Sequence, residues 1–153
     1  MFDNVSTCAL EYSLTLNKDV LASMGLIGTA KLVLGLEGSG IVREVGANVK
    51  AFHVGDRVMM MSDGCFSSHV TVPAKRCAKI PDNLSWEEAA TMPCVFGTVV
   101  HALIEKAALQ ENQTVLIHSG CGGIGLAAIQ ICQMIRAKVG WSPRYQSVQK
   151  REI

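Results

Sequence analysis

The chain has 153 residues, of which 49% are hydrophobic and 18% are charged, and its formal net charge is +1. This composition is typical of packed globular proteins and excludes a disordered chain. The small net charge and the absence of a basic run indicate neither a nucleic-acid nor a membrane partner, and no apolar stretch reaches the ~20 residues of a membrane span.

The amino-terminal residues MFDNVSTCALEYSL have no cationic start followed by an apolar block, so the sequence predicts no secretion signal. The six cysteines never form a Cys-x-x-Cys pair. Reduced thiols in the cytosol are the favoured interpretation, with disulfides as the alternative. The sequence therefore predicts a cytoplasmic protein.

Residues 1–84 contain short β-rich runs separated by glycine turns. The runs are LVLGLEGSGIVREVG, GDRVMMM and HVTV, and at most one further strand, within residues 8–13, precedes them. The turns are supplied by Gly46-Ala-Asn and Val54-Gly-Asp-Arg. Several short strands at this spacing predict a small barrel or a partly open sheet.

From residue 85 the apolar pattern changes to a helical period. Ser85-Trp-Glu-Glu88 is a capping box, in which the Glu88 amide donates to the Ser85 hydroxyl and the Glu88 carboxylate reaches back. The helix is expected to stop before Pro93, because proline disfavours helical geometry at Met92. The sequence then predicts a helix over 96–108, a strand over 113–118, a glycine loop and a helix over 124–136.

The segment HSGCGGIGLAA joins the predicted strand to the last predicted helix. Gly120-Cys-Gly122-Gly-Ile-Gly125 satisfies the pattern G-x-G-x-x-G in the strand–helix context that dinucleotide binding requires. The first glycine allows the tight turn, the second admits the pyrophosphate and the third permits close helix–strand packing, while the helix amino end attracts anions. A glycine turn in an ordinary βα unit is the alternative.

The residues after the loop favour NADPH over NADH. An NAD site usually has an acidic residue ~20 positions after the loop, but no Asp or Glu occurs between Glu111 and Glu152. Five basic residues in this segment are candidates to face a 2′-phosphate: Arg136, Lys138, Arg144, Lys150 and Arg151. A solvated basic tail is the alternative.

Several motifs in order resemble the medium-chain dehydrogenase/reductase superfamily. They are LGLEGSGIVREVGANV, FHVGDRVM, IPDNLSWEEAATMPCVFGTVVHALI and TVLIHSGCGGIGLAAIQ. Within the superfamily, the chain resembles the zinc-independent quinone-reductase-like branch. The segments LSWEEAATMPCVFGT and LIHSGCGGIGLAAIQ are similar to the enoyl reductase domain of fungal highly reducing polyketide synthases.

The resemblance implies a mixed α/β architecture: a partial GroES-like β-barrel on the substrate side over 1–84, then the start of an NADPH-binding Rossmann domain over 85–153. It implies NADPH-dependent reduction of the C=C bond of an α,β-unsaturated acyl thioester. The implied partners are an acyl-carrier protein that holds the substrate and other synthase domains, and a dimer is compatible with this architecture.

The resemblance also assigns site residues. Those that would hold NADPH are Thr98, near the nicotinamide, and Ser119, Gly120, Cys121, Gly122, Gly123, Ile124 and Gly125, around the pyrophosphate. Asn17 matches an asparagine beside the family's active site, although the Phe that follows it in the family is absent; a turn or capping residue is the alternative. Cys121 is interpreted as a small packing residue, with a redox-active thiol as the alternative.

No zinc site is predicted. Gly35-Leu36-Glu37 stands where zinc-dependent relatives have Gly-His-Glu, and the cysteine and histidine spacings do not assemble a ligand set. His53, His69, His101 and His118 are interpreted as surface or packing residues. The run Met59, Met60 and Met61 is interpreted as strand and core.

The resemblance further implies that the chain is truncated. A Rossmann domain has about six strands, whereas this chain reads AKVGWSPRYQSVQKREI after Arg136 and stops. The strand around residues 115–117 is therefore expected to lack parallel neighbours. Two alternatives to the enoyl reductase remain: a stand-alone quinone or enone reductase, and a non-catalytic remnant that binds at most a partner subunit.

Overall fold

The computed structural model describes residues 5–27 and 33–142, apart from the side chains of Val5, Asn17, Trp141 and Ser142. The chain forms two compact units, with the boundary between Cys94 and Val95. Each unit has its own β-sheet and its own apolar core. The predicted mixed α/β class is confirmed.

The first unit is built on a five-stranded antiparallel sheet. Its strands are β1 (Val5–Ser13), β2 (Glu37–Val45), β3 (Arg57–Met61), β4 (His69–Pro73) and β5 (Cys77–Lys79). Their spatial order is β4-β1-β2-β3-β5. The β-rich runs of the sequence correspond to β1–β4, whereas the short strand β5 had no clear signal.

Apolar side chains from the strands and their connections enclose the core of the first unit. Along β3 the side chains of Val58 and Met60 are buried and that of Met61 is exposed, as the two-residue period of a strand requires. The interpretation of the methionine run as strand and core is confirmed for Met60. The buried cluster comprises Cys8, Val42, Phe52, Val58, Met60, Cys65 and Val72.

Two short α-helices, α1 (Asn17–Ser23) and α2 (Trp86–Ala90), and one turn of 3-10 helix, Ala74–Arg76, complete the described part of the first unit. The predicted capping box is confirmed, because Glu88 N donates to Ser85 Oγ at 3.2 Å and Ser85 N donates to Glu88 Oε2 at 2.9 Å. The helix ends before Pro93, as expected.

Helix α2 is attached to the sheet through Trp86 and the residues before it. The Ser39 hydroxyl donates to the Trp86 carbonyl at 2.8 Å. The Arg57 guanidinium lies 4.4 Å from the centroid of the Trp86 ring and donates to the Leu84 carbonyl at 2.8 Å. A cation over an indole face and a buried hydroxyl with a partner both stabilise this attachment.

The second unit combines helices with a two-stranded parallel sheet. Helix α3 (Pro93–Val99) runs into it from the first unit and continues as a π-helical segment, Val100–Lys106. Strand β6 (Thr114–His118), helix α4 (Gly123–Met134) and strand β7 (Lys138–Ser142) follow. The predicted helix over 96–108 therefore starts earlier and is not continuously α-helical.

Strand β7 corrects one expectation. Residues 115–117 do have a parallel neighbour, because β6 and β7 pair from Thr114 opposite Lys138 to His118 opposite Ser142. The pairing is continued beyond the strands by Lys138 N, which donates to the Gln113 carbonyl at 2.7 Å. Sequence inspection missed β7 because glycine and proline lie in and after the short run AKVGWSP.

The core of the second unit is small and consists mainly of small side chains. The buried residues are Val99, Ile117, Ala127, Ala128 and Cys132. Several large apolar residues of the same elements are exposed: Leu116, Ile124, Leu126 and Met134. One face of α4 is therefore packed while another face is in solvent.

Two further observations concern the whole described chain. All six cysteines lie in the described ranges, and none of them forms a disulfide there. Among residues 5–27 and 33–142, no helix combines the length and the apolar character that a membrane crossing demands.

Candidate functional site

The glycine loop begins directly after β6 with a left-handed residue. Ser119 has φ +59°, and its carbonyl accepts a hydrogen bond from Gly122 N at 2.9 Å, which closes the turn. The first glycine was expected to allow this turn, but the positive φ lies at Ser119 and not at Gly120. Serine tolerates this conformation at a cost that glycine would not carry.

Close packing explains the glycine at position 125. A Cβ atom there would lie 2.7 Å from Gly120 Cα and still nearer the Ser119 carbonyl oxygen, so no side chain fits. This agrees with the packing role expected for the third glycine of the motif. At Gly122, by contrast, a Cβ would meet only the Ser119 carbonyl oxygen at 3.4 Å. The protein itself does not require glycine at position 122.

The amino end of α4 presents backbone donors to solvent. Gly122 is the capping residue, it provides no side-chain cap, and the first turn of the helix has no acidic residue. The first amides of a helix have no partner within it, and they carry the positive end of the helix dipole. The residues Cys121, Gly122, Gly123 and Ile124 are exposed here. This arrangement has the chemistry of an anion site.

Cys121 lies in this exposed part of the loop. Its side chain is in solvent, so the interpretation of Cys121 as a small packing residue is wrong. The exposure of Cys121 could not be predicted from the sequence of the loop, because it depends on the direction in which the turn points each side chain.

The strand register corrects the assignment of two basic residues. Lys138 lies opposite Thr114 at the amino end of the two parallel strands, whereas the glycine loop follows their carboxyl end. The two ends of a five-residue strand are roughly 13 Å apart. Arg136 precedes Lys138, and its guanidinium lies 3.7 Å from Glu111 Oε1. Arg136 and Lys138 are therefore at the wrong edge to face a 2′-phosphate bound beside the loop.

The other candidates for the 2′-phosphate follow β7 in the sequence. Arg144, Lys150 and Arg151 lie outside the described residues. The last residue of β7, opposite His118 at the carboxyl end, is Ser142. A neutral residue therefore stands at the end of the second strand, where an NAD-binding domain usually places a carboxylate.

For Thr98 and Asn17 the structure gives the position in the fold but no contact with a ligand. Thr98 lies near the end of α3 and is exposed. Asn17 is the first residue of α1, in the first unit, and its side chain lies outside the described part. Their contacts with a cofactor or a substrate stay predictions.

Two buried carboxyl groups in the first unit were missed by sequence reasoning. Glu37 is completely buried, and its Oε2 accepts a hydrogen bond from Cys94 N at 2.7 Å. Asp19 is almost as buried, and its two oxygens accept hydrogen bonds from Gly35 N and Leu16 N, each at 2.9 Å. For Glu37, the sequence did contain an indication of burial, because it is the only charged residue in the apolar and glycine-rich run LGLEGSG.

The histidines are surface residues, as expected. His53, His69, His101 and His118 are all exposed, and His101 Nδ1 lies 2.7 Å from Glu105 Oε2. Within the described ranges, no group of three or more His, Cys, Asp or Glu side chains is arranged to hold a metal ion.

A shallow pocket of about 430 Å³ also belongs to the first unit. Tyr12 and Phe66, both partly exposed, provide its aromatic surface. The nearby Glu87 carboxylate raises the pKa of the Tyr12 phenol. The pocket is further lined by Leu10, Glu11, Ser13, Cys65, Ser67 and Ser68. The pocket is therefore lined by both polar and apolar side chains.

The chain is similar to known polyketide synthases and to solved structures of an enoyl reductase and a quinone oxidoreductase. Residues 5–82 match the alcohol dehydrogenase GroES-like domain. The chain is 61% identical over 118 residues to the highly reducing polyketide synthase gloL of Glarea lozoyensis. It is 52% identical over 122 residues to the highly reducing polyketide synthase lcsB of Purpureocillium lilacinum. These alignments cover 77% and 80% of the chain but only 5% of each synthase.

Solved structures resemble most of the chain. The CurK enoyl reductase superposes with a TM-score of 0.81 at 31% identity, over 92% of this chain and 46% of that structure. An Escherichia coli quinone oxidoreductase in complex with NADPH superposes with a TM-score of 0.74 at 30% identity, over 92% of this chain and 44% of that structure. The chain thus spans less than half of either structure.

Proposed function

Because the chain belongs to the alcohol dehydrogenase GroES-like family, within the medium-chain dehydrogenase/reductase superfamily, we propose that it is part of an NADPH-dependent enoyl reductase. The substrate would be an α,β-unsaturated acyl thioester on an acyl-carrier protein, within a synthase that supplies further domains as partners. The observation that carries this proposal is the exposed glycine loop at the amino end of α4. The similarity to polyketide synthases and to the CurK enoyl reductase supports the reductase class.

The loop fits a dinucleotide pyrophosphate. The backbone of residues 119–125 would hold it, because the amides at the start of α4 are exposed and the helix dipole favours negative charge there. At Gly122 the space that a Cβ would take is open on the protein side, so a phosphate could approach the backbone. The neutral Ser142 at the end of β7 supports NADPH over NADH, because no carboxylate there would repel a 2′-phosphate.

When bound, NADPH would supply the hydride that reaches the β-carbon of the enoyl thioester, and a proton would then reach the α-carbon. The contribution of the chain is binding and orientation. The loop residues Ser119–Gly125 would fix the pyrophosphate, and Thr98 would lie near the nicotinamide, by resemblance to the family. Asn17 would lie beside the reacting atoms on the same ground.

The test is a calorimetric titration of the folded chain with NADPH and with NADH. We expect saturable NADPH binding, weaker NADH binding, and a loss of at least ten-fold in NADPH affinity in Gly122→Val, whose side chain would occupy the phosphate position. Gln130→Val adds the same side chain at an exposed site further along α4 and is expected to bind as the wild type does. Equal binding by Gly122→Val and wild type would overturn the assignment of the loop.

A stand-alone quinone or enone reductase is the second candidate. The similarity to the E. coli quinone oxidoreductase complexed with NADPH favours it. Assays with a carrier-bound enoyl thioester and with a free quinone separate the two, since only the first candidate depends on the carrier protein. NADPH binding without turnover of either substrate would support a non-catalytic chain instead.

A further inference from the structure

Glu37 is the most unusual polar residue of the first unit. It is the first residue of β2, and none of its surface is exposed. One carboxyl oxygen, Oε2, accepts a hydrogen bond from Cys94 N at 2.7 Å. The other, Oε1, is buried and has no hydrogen-bond partner among the described residues. An ionised carboxylate placed in this way would leave most of its acceptor capacity unmet, which is costly.

Among residues 5–27 and 33–142, no ion pair brings a positive charge to Glu37. The ion pairs of the described chain join other residues: His53 and Lys79 with Asp56, His101 with Glu105, and Arg136 with Glu111. The titratable groups that act on Glu37 or respond to it are Asp19 of α1 and the Cys65 thiol, both of which disfavour a second negative charge. Burial is the main cause that raises the pKa of Glu37; the Cys94 amide opposes it and Asp19 adds to it.

Asp19 provides the contrast within the same unit. It is also buried, but each of its oxygens accepts a backbone amide, from Leu16 and from Gly35. Both oxygens of the Asp19 carboxyl group therefore have a hydrogen-bond donor, whereas only one oxygen of Glu37 has one among the described residues. At Glu37 the single amide donor suffices for the carbonyl oxygen of a neutral acid, and an O–H on Oε1 without an acceptor costs less than a buried charge without one.

We propose that Glu37 is a neutral carboxylic acid that fixes the amino end of α3 to β2. Cys94 is the second residue of α3, and Thr98 lies about one helical turn later on the same helix. Glu37 is thus a positioning residue for the segment that carries Thr98. Only the relevance of Thr98 rests on the proposed function; the protonation state and the anchoring of α3 do not.

A neutral Glu37 gives folding a defined pH dependence. The pKa of a glutamate is ordinarily near 4.5, and it is raised in the folded chain. Above pH 4.5 the folded state therefore binds more protons than the unfolded state does. Stability is greatest below the unfolded value, and this contribution is lost as the pH rises through the folded value.

The decisive variant is Glu37→Gln, which preserves the shape of the side chain and an acceptor for Cys94 N. At pH 7.5 we expect its Tm to be about 2–4 °C above that of the wild type, and its Tm to fall less between pH 5 and pH 8. Glu44→Gln, at an exposed site on the same strand, is the matched control and is expected to leave both quantities unchanged. If the Tm of Glu37→Gln falls between pH 5 and pH 8 as much as that of the wild type, Glu37 has the same protonation state in the folded and the unfolded chain, and the proposal is wrong.

Infrared spectroscopy provides a readout that a purely structural role would not change. The wild type should show the carbonyl stretch of a protonated carboxylic acid near neutral pH, and Glu37→Gln should lack it. The same band in both proteins would assign it to another residue and overturn the neutral state of Glu37.

The positioning role is tested with NADPH. Glu37→Ala removes the acceptor for Cys94 N and is expected to weaken NADPH binding several-fold, while Glu37→Gln restores it. Wild-type affinity in a folded Glu37→Ala chain would overturn positioning. If the wild type itself does not bind NADPH, the proposed function fails, and the melting and infrared results still decide the state of Glu37.

Discussion

The two units of this chain use their large apolar residues in opposite ways. In the first unit, Val58, Met60 and Val72 lie at 0% exposure inside a five-stranded sheet. In the second, Leu116 is 58% exposed and Met134 is 77% exposed, and the buried positions of α4 are held by small residues. The five strands of the first unit can enclose large side chains. The two strands and α4 of the second unit bury only the side chains that lie between the helix and the sheet.

The two units therefore obtain their stability from different kinds of packing. The first unit depends on a filled interior, so removing volume there should be costly. The second unit depends on a close approach between the start of α4 and the loop that follows β6, so adding volume there should be costly. Changes on its exposed face should matter little. Three sets of variants test this, taken in order of decreasing loss of stability.

The largest effect is expected in the core of the first unit. Met60→Ala should lower the free energy of unfolding by about 2–5 kcal/mol, because it leaves a cavity in a closed cluster. Met61→Ala is the matched control on the next residue, which is 40% exposed, and should cost less than about 1 kcal/mol. Urea unfolding monitored by circular dichroism measures both. Equal losses would show that the first unit is not closed as described.

A smaller loss of stability is expected where the start of α4 meets the glycine loop. Gly125→Ala should cost about 1–3 kcal/mol, because its Cβ would overlap the backbone of Ser119 and Gly120. Gly122→Ala, whose Cβ meets only one atom, should cost under about 1 kcal/mol. Hydrogen exchange of the amides of α4 localises the loss. A greater loss at Gly122 than at Gly125 would contradict the close approach at the start of this helix.

The smallest effect is expected on the outer face of the second unit. Leu116→Thr keeps a strand-forming residue at an exposed position of β6 and should change the free energy of unfolding by less than about 0.5 kcal/mol. It should also reduce the binding of an apolar dye. A loss of more than about 2 kcal/mol would mean that something covers this face in solution.

Local signals in the sequence predicted the local structure well. The Ser85–Glu88 capping box acts between neighbouring residues, and it appears in the structure with both hydrogen bonds. Strands β1–β4 of the first unit were recognisable from apolar and β-branched residues between glycine turns. The predicted bounds of β6, the glycine loop and α4 lie within about two residues of the observed ones. Each of these depends on a short stretch of chain.

The features that the sequence did not predict depend on distant contacts or on backbone angles. Arg136 and Lys138, two of the five candidates for the 2′-phosphate, could be excluded only with the register of β6 and β7. The left-handed turn at Ser119 and the π-helical segment Val100–Lys106 involve ordinary residues in unusual backbone conformations, for which composition carries no signal. The burial of Glu37 with a single hydrogen-bond donor depends on residues that are distant in the sequence, such as Cys94, and could not be predicted from the residues next to it.

The strand order of the first unit has a consequence for biosynthesis. Strand β1 is synthesised before the other four strands, but it pairs with β2 on one side and with β4 on the other. During translation its second edge stays open until His69–Pro73 has been made, and an open strand edge can recruit other chains. The yield of folded protein should therefore depend on how quickly the ribosome passes from β2 to β4, even in variants whose equilibrium stability is unchanged.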